Sequence, residues 1–396
     1  MNNKLLAPDV QKFIKNFTGD IATLLLKKPK FKNLSNKELA VQIQSYPLAK
    51  KKLPAFKDRN DIIYPPKIHL EQSSSEPTAK FKAQLLQKGR GVDLTGGFGI
   101  DTYYLAQTNE NVIYTDANHE LSSIVDHNFK NLSQDNIQVY DLPAEMMLDQ
   151  LPMQLDWFFV DPSRRSNSNS KITTLEDSQP DILKLQQKLK AKFHHGLIKA
   201  SPMLSIEKAI QQIEQVEIVH IIAIKNEVKE LLFQVNYTKE IRSIKISCYD
   251  LSNETSIIYQ KEYTDSQNPS IEYTDVKDFL YLPHPSIAKA GFFNDLAIDF
   301  PVDKIAYNTH LYTSTDKVDF PGRCFSVLEV FEYKPKKLKG LFSNKDYHVI
   351  TKSFGIKSEA ISSSWFLQPR GNRYLIAFKD SYGKRLIAES ELIKSD

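Results

Sequence analysis

Apolar residues in the first seventy positions recur at three- and four-residue steps. Val10, Phe13, Ile14, Phe17 and Ile21 form one such series, and Leu39, Val41, Ile43 and Leu48 a less regular second. This spacing predicts helices with one buried face. Pro47, Pro54, Pro65 and Pro66 punctuate the later part, where turns or extended pieces are expected. From about residue 71 the pattern changes to short apolar runs at 91–94, 112–115, 137–140, 157–160, 196–199 and 218–223. Stretches of helical spacing, such as 182–193, separate them. Apolar strands without strict alternation, interleaved with helices, predict a largely parallel sheet covered on both faces. Residues 236–280 read as alternating strands with a loop at 265–270. From 281 onward a smaller α+β region is expected, with a helix near 285–296 and strands near 324–333, 348–353 and 374–378.

Composition changes this picture little. At 396 residues, with 41% hydrophobic and 25% charged positions, the chain has the make-up of a globular protein with more than one domain. Two cysteines far apart, Cys248 and Cys324, support neither a disulfide framework nor a zinc site. No metal is expected. No signal-like run and no stretch of eighteen apolar residues stand in the sequence, so a cytoplasmic protein with no membrane partner is expected. Charge is more informative. Residues 1–70 carry +9 and residues 321–396 carry +6, around a middle of −11. Basic ends flanking an acidic middle suit a polyanion, although lysines that merely solvate helix surfaces would look the same.

The chemistry-bearing residues cluster at the ends of the predicted parallel strands. Asp93, Thr95, Gly96, Gly97 and Gly99 follow the first strand, where glycines let the backbone turn sharply and let a ligand approach. Asp93 is placed to hold a cationic amino group. Asp116 ends the second strand, where a carboxylate accepts hydrogen bonds from ribose hydroxyls. Asp141 ends the third, suitably placed for an adenine amine. The fourth strand ends in Asp161-Pro162-Ser163-Arg164-Arg165 and the fifth in Lys199-Ala200-Ser201-Pro202. Asp161, with Pro162 and Ser163, would orient a nucleophile or take its proton. Arg164, Arg165, Lys199 and Ser201 would hold a substrate.

Asp-x-Thr-Gly-Gly-Phe-Gly, the second-strand Asp and the fourth-strand Asp-Pro resemble motifs I, II and IV of class I methyltransferases. Together with the Lys-Ala-Ser-Pro turn, residues 281–291 and 320–323, the chain resembles a bacterial family of such enzymes. That family carries a ferredoxin-like segment and a C-terminal THUMP-like domain. The resemblance implies a Rossmann-like α/β fold with an N-terminal helical domain (1–70), a methyltransferase domain (71–280), a ferredoxin-like segment (281–322) and a THUMP-like domain (323–396). It implies S-adenosyl-L-methionine as cofactor, with Gln72, Ser74 and Thr78 on the helix that touches its methionine end. It also implies RNA, tRNA or rRNA, as partner. Basic and aromatic residues of the tail, such as Lys352, Arg370 and Trp365, fit that partner. One departure stands out: Ser163 and Arg164 occupy the places of the second proline and the aromatic usual in enzymes that methylate exocyclic base amines. A nicotinamide-dependent dehydrogenase, a non-catalytic RNA-binding protein and a methyltransferase for a protein or small molecule remain open alternatives.

Overall fold

The computed structural model describes residues 2–56, 59–86, 88–151, 154–164, 175–176, 178–252, 256–263 and 269–393. The fold is mixed α/β and divides into two compact units. One takes residues 1–222, 229–245 and 251–255; the other takes 223–228, 246–250 and 256–396. The N-terminal helices therefore belong to the same unit as the parallel sheet, and most of the 246–280 stretch does not.

Helices α1 (Pro8–Asn16), α2 (Ile21–Leu26) and α3 (Asn36–Lys52) bury the periodic positions Val10, Ile14, Leu39 and Ile43, together with Leu24. Ser35 and Glu38 form a reciprocal capping box that starts α3. Contrary to the punctuation expected of Pro47, α3 runs through it. The helix is tied along its length to the extended segment that follows. The Gln42 amide donates to the Tyr64 carbonyl at 2.6 Å and the Ser45 hydroxyl to the Pro65 carbonyl at 2.7 Å. These anchors offset the missing proline N–H. Short α4 (Lys67–Gln72) and α5 (Glu76–Leu85) lead into the sheet.

There the chain alternates as expected: β1 (Arg90–Asp93), α6 (Ile100–Ala106), β2 (Asn111–Thr115), α7 (His119–Asn131), β3 (Ile137–Tyr140), α8 (Ala144–Gln150) and β4 (Leu155–Val160). A two-residue ribbon, β5 (Ser163–Arg164) and β6 (Ser178–Gln179), precedes α9 (Ile182–Lys192), β7 (Phe193–Ala200) and α10 (Ile206–Gln212). A hairpin of β8 (Val216–Ile224) and β9 (Glu227–Asn236) follows. The order is β8-β9-β7-β4-β1-β2-β3. Strands β7, β4, β1, β2 and β3 run parallel, so their carboxyl ends share one edge; β9 is antiparallel to β7. Phe158, Phe159 and Val160 of β4 are almost wholly buried because both faces of the central strand are covered.

In the second unit come β10 (Ile244–Asp250) and β11 (Ser256–Tyr263), then β12 (Phe279–Pro283), α11 (Pro285–Ala290), α12 (Asp295–Asp299), β13 (Asp303–Lys304) and β14 (Tyr312–Ser314). The long β15 (Gly322–Glu332), α13 (Pro335–Phe342), β16 (His348–Lys352), α14 (Ser358–Trp365), β17 (Arg373–Lys379) and β18 (Arg385–Ile393) complete it. The sheet order is β13-β14-β12-β15-β18-β17-β16, and only β16 and β17 pair in parallel among the strands registered there. Where the sequence predicts one helix near 285–296, the structure has two short ones. Gly291, at φ +83° after α11, ends the first turn set.

Candidate active site

The carboxyl ends of β1, β2, β4 and β7 open onto a cleft of about 850 Å³, within the size range of small-molecule sites. Its floor is the turn after β1. Gly97 and Gly99 sit at φ +54° and +78°, which a residue with a side chain resists. A methyl group on Gly96 would come within 2.1 Å of the Tyr114 ring. On Gly97 it would meet nothing nearer than 3.9 Å and would project into open space. The Tyr114 hydroxyl, donating to the Gly97 carbonyl at 2.7 Å, locks the turn from below.

Asp116 holds the same turn from the side. One carboxylate oxygen accepts the Gly97 N–H at 2.9 Å and the other the Asn118 N–H at 2.8 Å. A carboxylate offers about four acceptor positions, so this half-buried group retains capacity on the cleft wall, where it stands. Asp93 is different. Its carboxylate is fully enclosed, accepting the Thr102 hydroxyl at 2.6 Å and the Thr95 N–H at 3.1 Å. It lies beneath the cleft rather than on its wall. Burial pushes its pKa up to about 7, against the Thr102 hydrogen bond. The Thr95 hydroxyl in turn accepts the Asp161 N–H at 2.6 Å and ties the first turn to the fourth.

At that fourth turn Lys199 of β7 donates to the Asp161 carboxylate at 2.5 Å. Lys199 also lies 3.8 Å from Glu230 of β9. Glu230 pairs with Lys82 of α5 at 3.1 Å, and Lys82 with Asp101 of α6 at 3.0 Å. Ser74 joins the last two, donating to Asp101 at 2.7 Å and accepting from Lys82 at 2.8 Å. Burial by itself lowers the pKa of Lys199. The carboxylates of Asp161, Glu230 and Asp101 outweigh it and raise the pKa. Burial likewise works against ionised Asp101, and Lys82 and Lys199 reverse the effect. At the rim, Lys52 donates to the carbonyls of Leu70, Glu71 and Ser73 at the end of α4. Burial and the nearby Lys199 ammonium lower its pKa to about 8.

The structure thus brings Gln72, Thr95, Gly96, Gly97, Asp116, Asp161, Pro162, Ser163, Lys199 and Ser201 to one cleft. Gly99 begins α6 in its left-handed cap. Ser74 and Thr78 are buried behind the wall, Ser74 within the ionic chain and Thr78 bonded to the Ser75 carbonyl. Asp141 is exposed and paired with His119, and the neighbouring wall is formed by Pro143, Ala144 and Glu145. The side chain of Arg164 and all of Arg165 lie outside the described residues. Sequence reading misses Asp101, Lys82 and Glu230. Asp101 follows the last glycine by two residues, a readable signal. Glu230 lies in β9, a strand the apolar pattern does not single out. Among the described residues no group of three metal-ligating side chains occurs, and no helix is long and apolar enough to cross a membrane.

A ferredoxin-like domain family matches residues 279–321. No curated protein matches the sequence. Among solved structures, a protein from Porphyromonas gingivalis W83, described as a candidate methyltransferase, superposes with a TM-score of 0.88 at 25% identity, over 100% of both chains. A candidate methyltransferase from Streptococcus mutans, solved with S-adenosylhomocysteine, gives a TM-score of 0.31 at 15% identity. That match covers 41% of this chain and 96% of the other. TrmK of M. capricolum, solved with the same compound, gives 0.32 at 13% identity, over 41% and 68%.

Proposed function

We propose that the chain is an S-adenosylmethionine-dependent methyltransferase whose methyl acceptor is RNA, tRNA or rRNA. The observation that carries the reading is the cleft at the shared carboxyl edge of the parallel strands. There a tight glycine turn, a half-buried Asp116 and the Asp161–Lys199 pair stand together. The full-length likeness to the Porphyromonas gingivalis protein supports it.

When bound, the cofactor supplies a methyl group already activated on a sulfonium. The chain's own work is to hold, align and exclude water. The open space over Gly97 admits the ligand against the backbone. Asp116, with acceptor capacity left, suits ribose hydroxyls. Asp101, on the wall and held ionised by two ammonium groups, suits the cationic amino end better than the enclosed Asp93 does. Asp161 faces the cleft with one oxygen held by Lys199. The other is left to accept a hydrogen bond from the nucleophile and to aim its lone pair. Lys199 stays protonated and so serves as a fixed positive charge, not as a base. Alignment of this kind can lower a barrier by several kcal/mol.

The RNA assignment draws on the +6 charge of residues 321–396 and on the resemblance to THUMP-like proteins. Its test is incubation of the protein and methyl-labelled cofactor with total RNA, tRNA and rRNA pools, followed by digestion to nucleosides. Label in one methylated nucleoside is expected, and none with Asp161→Ala. Label that goes only to protein or to small molecules overturns the RNA assignment.

A further inference from the structure

A second cavity, of about 690 Å³, lies wholly within the C-terminal unit and has no part in the cleft chemistry. Strands β16 and β17 are parallel neighbours with Lys352 paired to Phe378, so both end at this cavity. Lys352 and Ser353 come from one end, Lys379 and Asp380 from the other, and Tyr307 and His310 close the third side.

The lysines here have no carboxylate partner among the described residues. Lys304, only 2% exposed, donates to the Asn294 amide oxygen and to the carbonyl of cavity-lining Tyr307, both at 2.9 Å and both neutral. Burial lowers its pKa to about 8, and no acid offsets the effect. Lys352 is lowered by burial and then by the Arg323 guanidinium, again with no acid offsetting it. His310 stacks on Phe293, and its Nδ1 is buried without a partner among the described residues. Asp380 lines the same cavity and brings a negative charge to it, but no ion pair joins it to a lysine among the described residues. Its Oδ1 accepts the N–H groups of Tyr382 and Lys384 at 3.0 and 2.8 Å and shapes its own turn. Desolvated ammonium groups without carboxylates are costly, and a bound anion removes the cost. Two large rings stand out at the same place: Tyr307 on the wall is 62% exposed, and Tyr382 on the turn after β17 is 89% exposed.

We infer that this cavity is a phosphate-binding site, and that the phosphate belongs to a single-stranded stretch of RNA whose base stacks on Tyr307. A lone phosphate has no use for the exposed rings; a strand presents a phosphate and a π-face together. The inference rests on the RNA reading for the source of the phosphate, but not on methyl transfer.

Fluorescence anisotropy with full-length protein and a single-stranded RNA of about ten nucleotides tests it. The double variant Lys352→Gln/Lys379→Gln is expected to bind at least tenfold more weakly. Its log–log salt slope should be shallower by about 0.7 for each lysine. Tyr307→Ala should weaken binding roughly tenfold at unchanged salt slope, which separates stacking from charge. Unaltered affinity and slope in the double variant overturn the site. Calorimetry with inorganic phosphate and adenosine monophosphate distinguishes the sources. If these bind in a lysine-dependent way while the oligonucleotide does not bind, the strand is ruled out as the source. S-Adenosylhomocysteine binding, measured on the same variants, should be unchanged. Its loss in the wild type as well would strike the methyl-transfer reading, not this one.

Discussion

The two units bury lysines in opposite ways. Under the cleft, Lys82 is fully enclosed but meets Asp101 and Glu230, and Lys199 meets Asp161. Both of these ammonium groups have carboxylate partners, and three carboxylates against two lysines leave the chain of charges at −1. In the C-terminal unit Lys304 is nearly as buried but donates to an amide oxygen and a carbonyl and lies over the rings of Phe293 and Tyr307, with no carboxylate partner among the described residues. The first arrangement fixes side chains around a site and keeps them ionised without help. The second leaves an ammonium with no opposite charge beside it.

The largest expected effect breaks the first arrangement. Lys82→Met strands Asp101 and Glu230 in the interior and is expected to cost about 3–5 kcal/mol in denaturant unfolding. Adding Glu230→Gln to it should recover part of that loss. Gly96→Ala comes next. The new methyl group would collide with Tyr114, whose hydroxyl is already bonded, so about 1–3 kcal/mol of stability should go. Cofactor affinity, read by calorimetry, should fall with it. By contrast, Lys304→Met removes an unanswered charge and should leave stability at neutral pH within about 1 kcal/mol of the wild type, or raise it.

Proton linkage sharpens the contrast at the smallest scale. Folded Lys304 titrates near 8, below its ordinary 10.5, so in this window the unfolded chain holds the extra proton. Stability from this group therefore rises as pH climbs from about 8 toward 10.5, and Lys304→Met should remove that rise. Asp93 has the opposite sign. Its folded pKa of about 7 lies above the ordinary 3.8, so the folded chain holds the proton and stability falls as pH rises through that interval. Asp93→Asn should flatten this slope in urea melts taken between pH 4 and 7. An unchanged slope would show that Asp93 is ionised throughout.

What the sequence makes legible follows from periodicity and from glycine. Parallel strands buried on both faces leave continuous apolar runs, so β1, β2, β4 and β7 and the charged residues at their ends can be read directly. The turn at 96–99 can be read because only glycine tolerates its backbone. Partnerships across long separations cannot. Glu230 and Lys82 lie 148 positions apart and become neighbours only when β9 returns antiparallel beside β7. Asp93 and Asp116 look equivalent as strand-end acids. Only the fold shows that Thr102 and Thr95 close over the first while the second stays open. Asp141 illustrates the same limit, because His119 one helix away claims its carboxylate. Pro47 misleads because propensity is local and the ties from Gln42 and Ser45 to residues 64 and 65 are not.

Titration calorimetry of the wild-type protein with S-adenosylhomocysteine tests the account at its centre. The account predicts saturable binding at one site per chain, weakened at least tenfold in Asp116→Ala while the variant remains folded. A well-folded wild-type sample that gives no binding heat over a range of temperatures, or an Asp116→Ala variant that binds as tightly as the wild type, would contradict it.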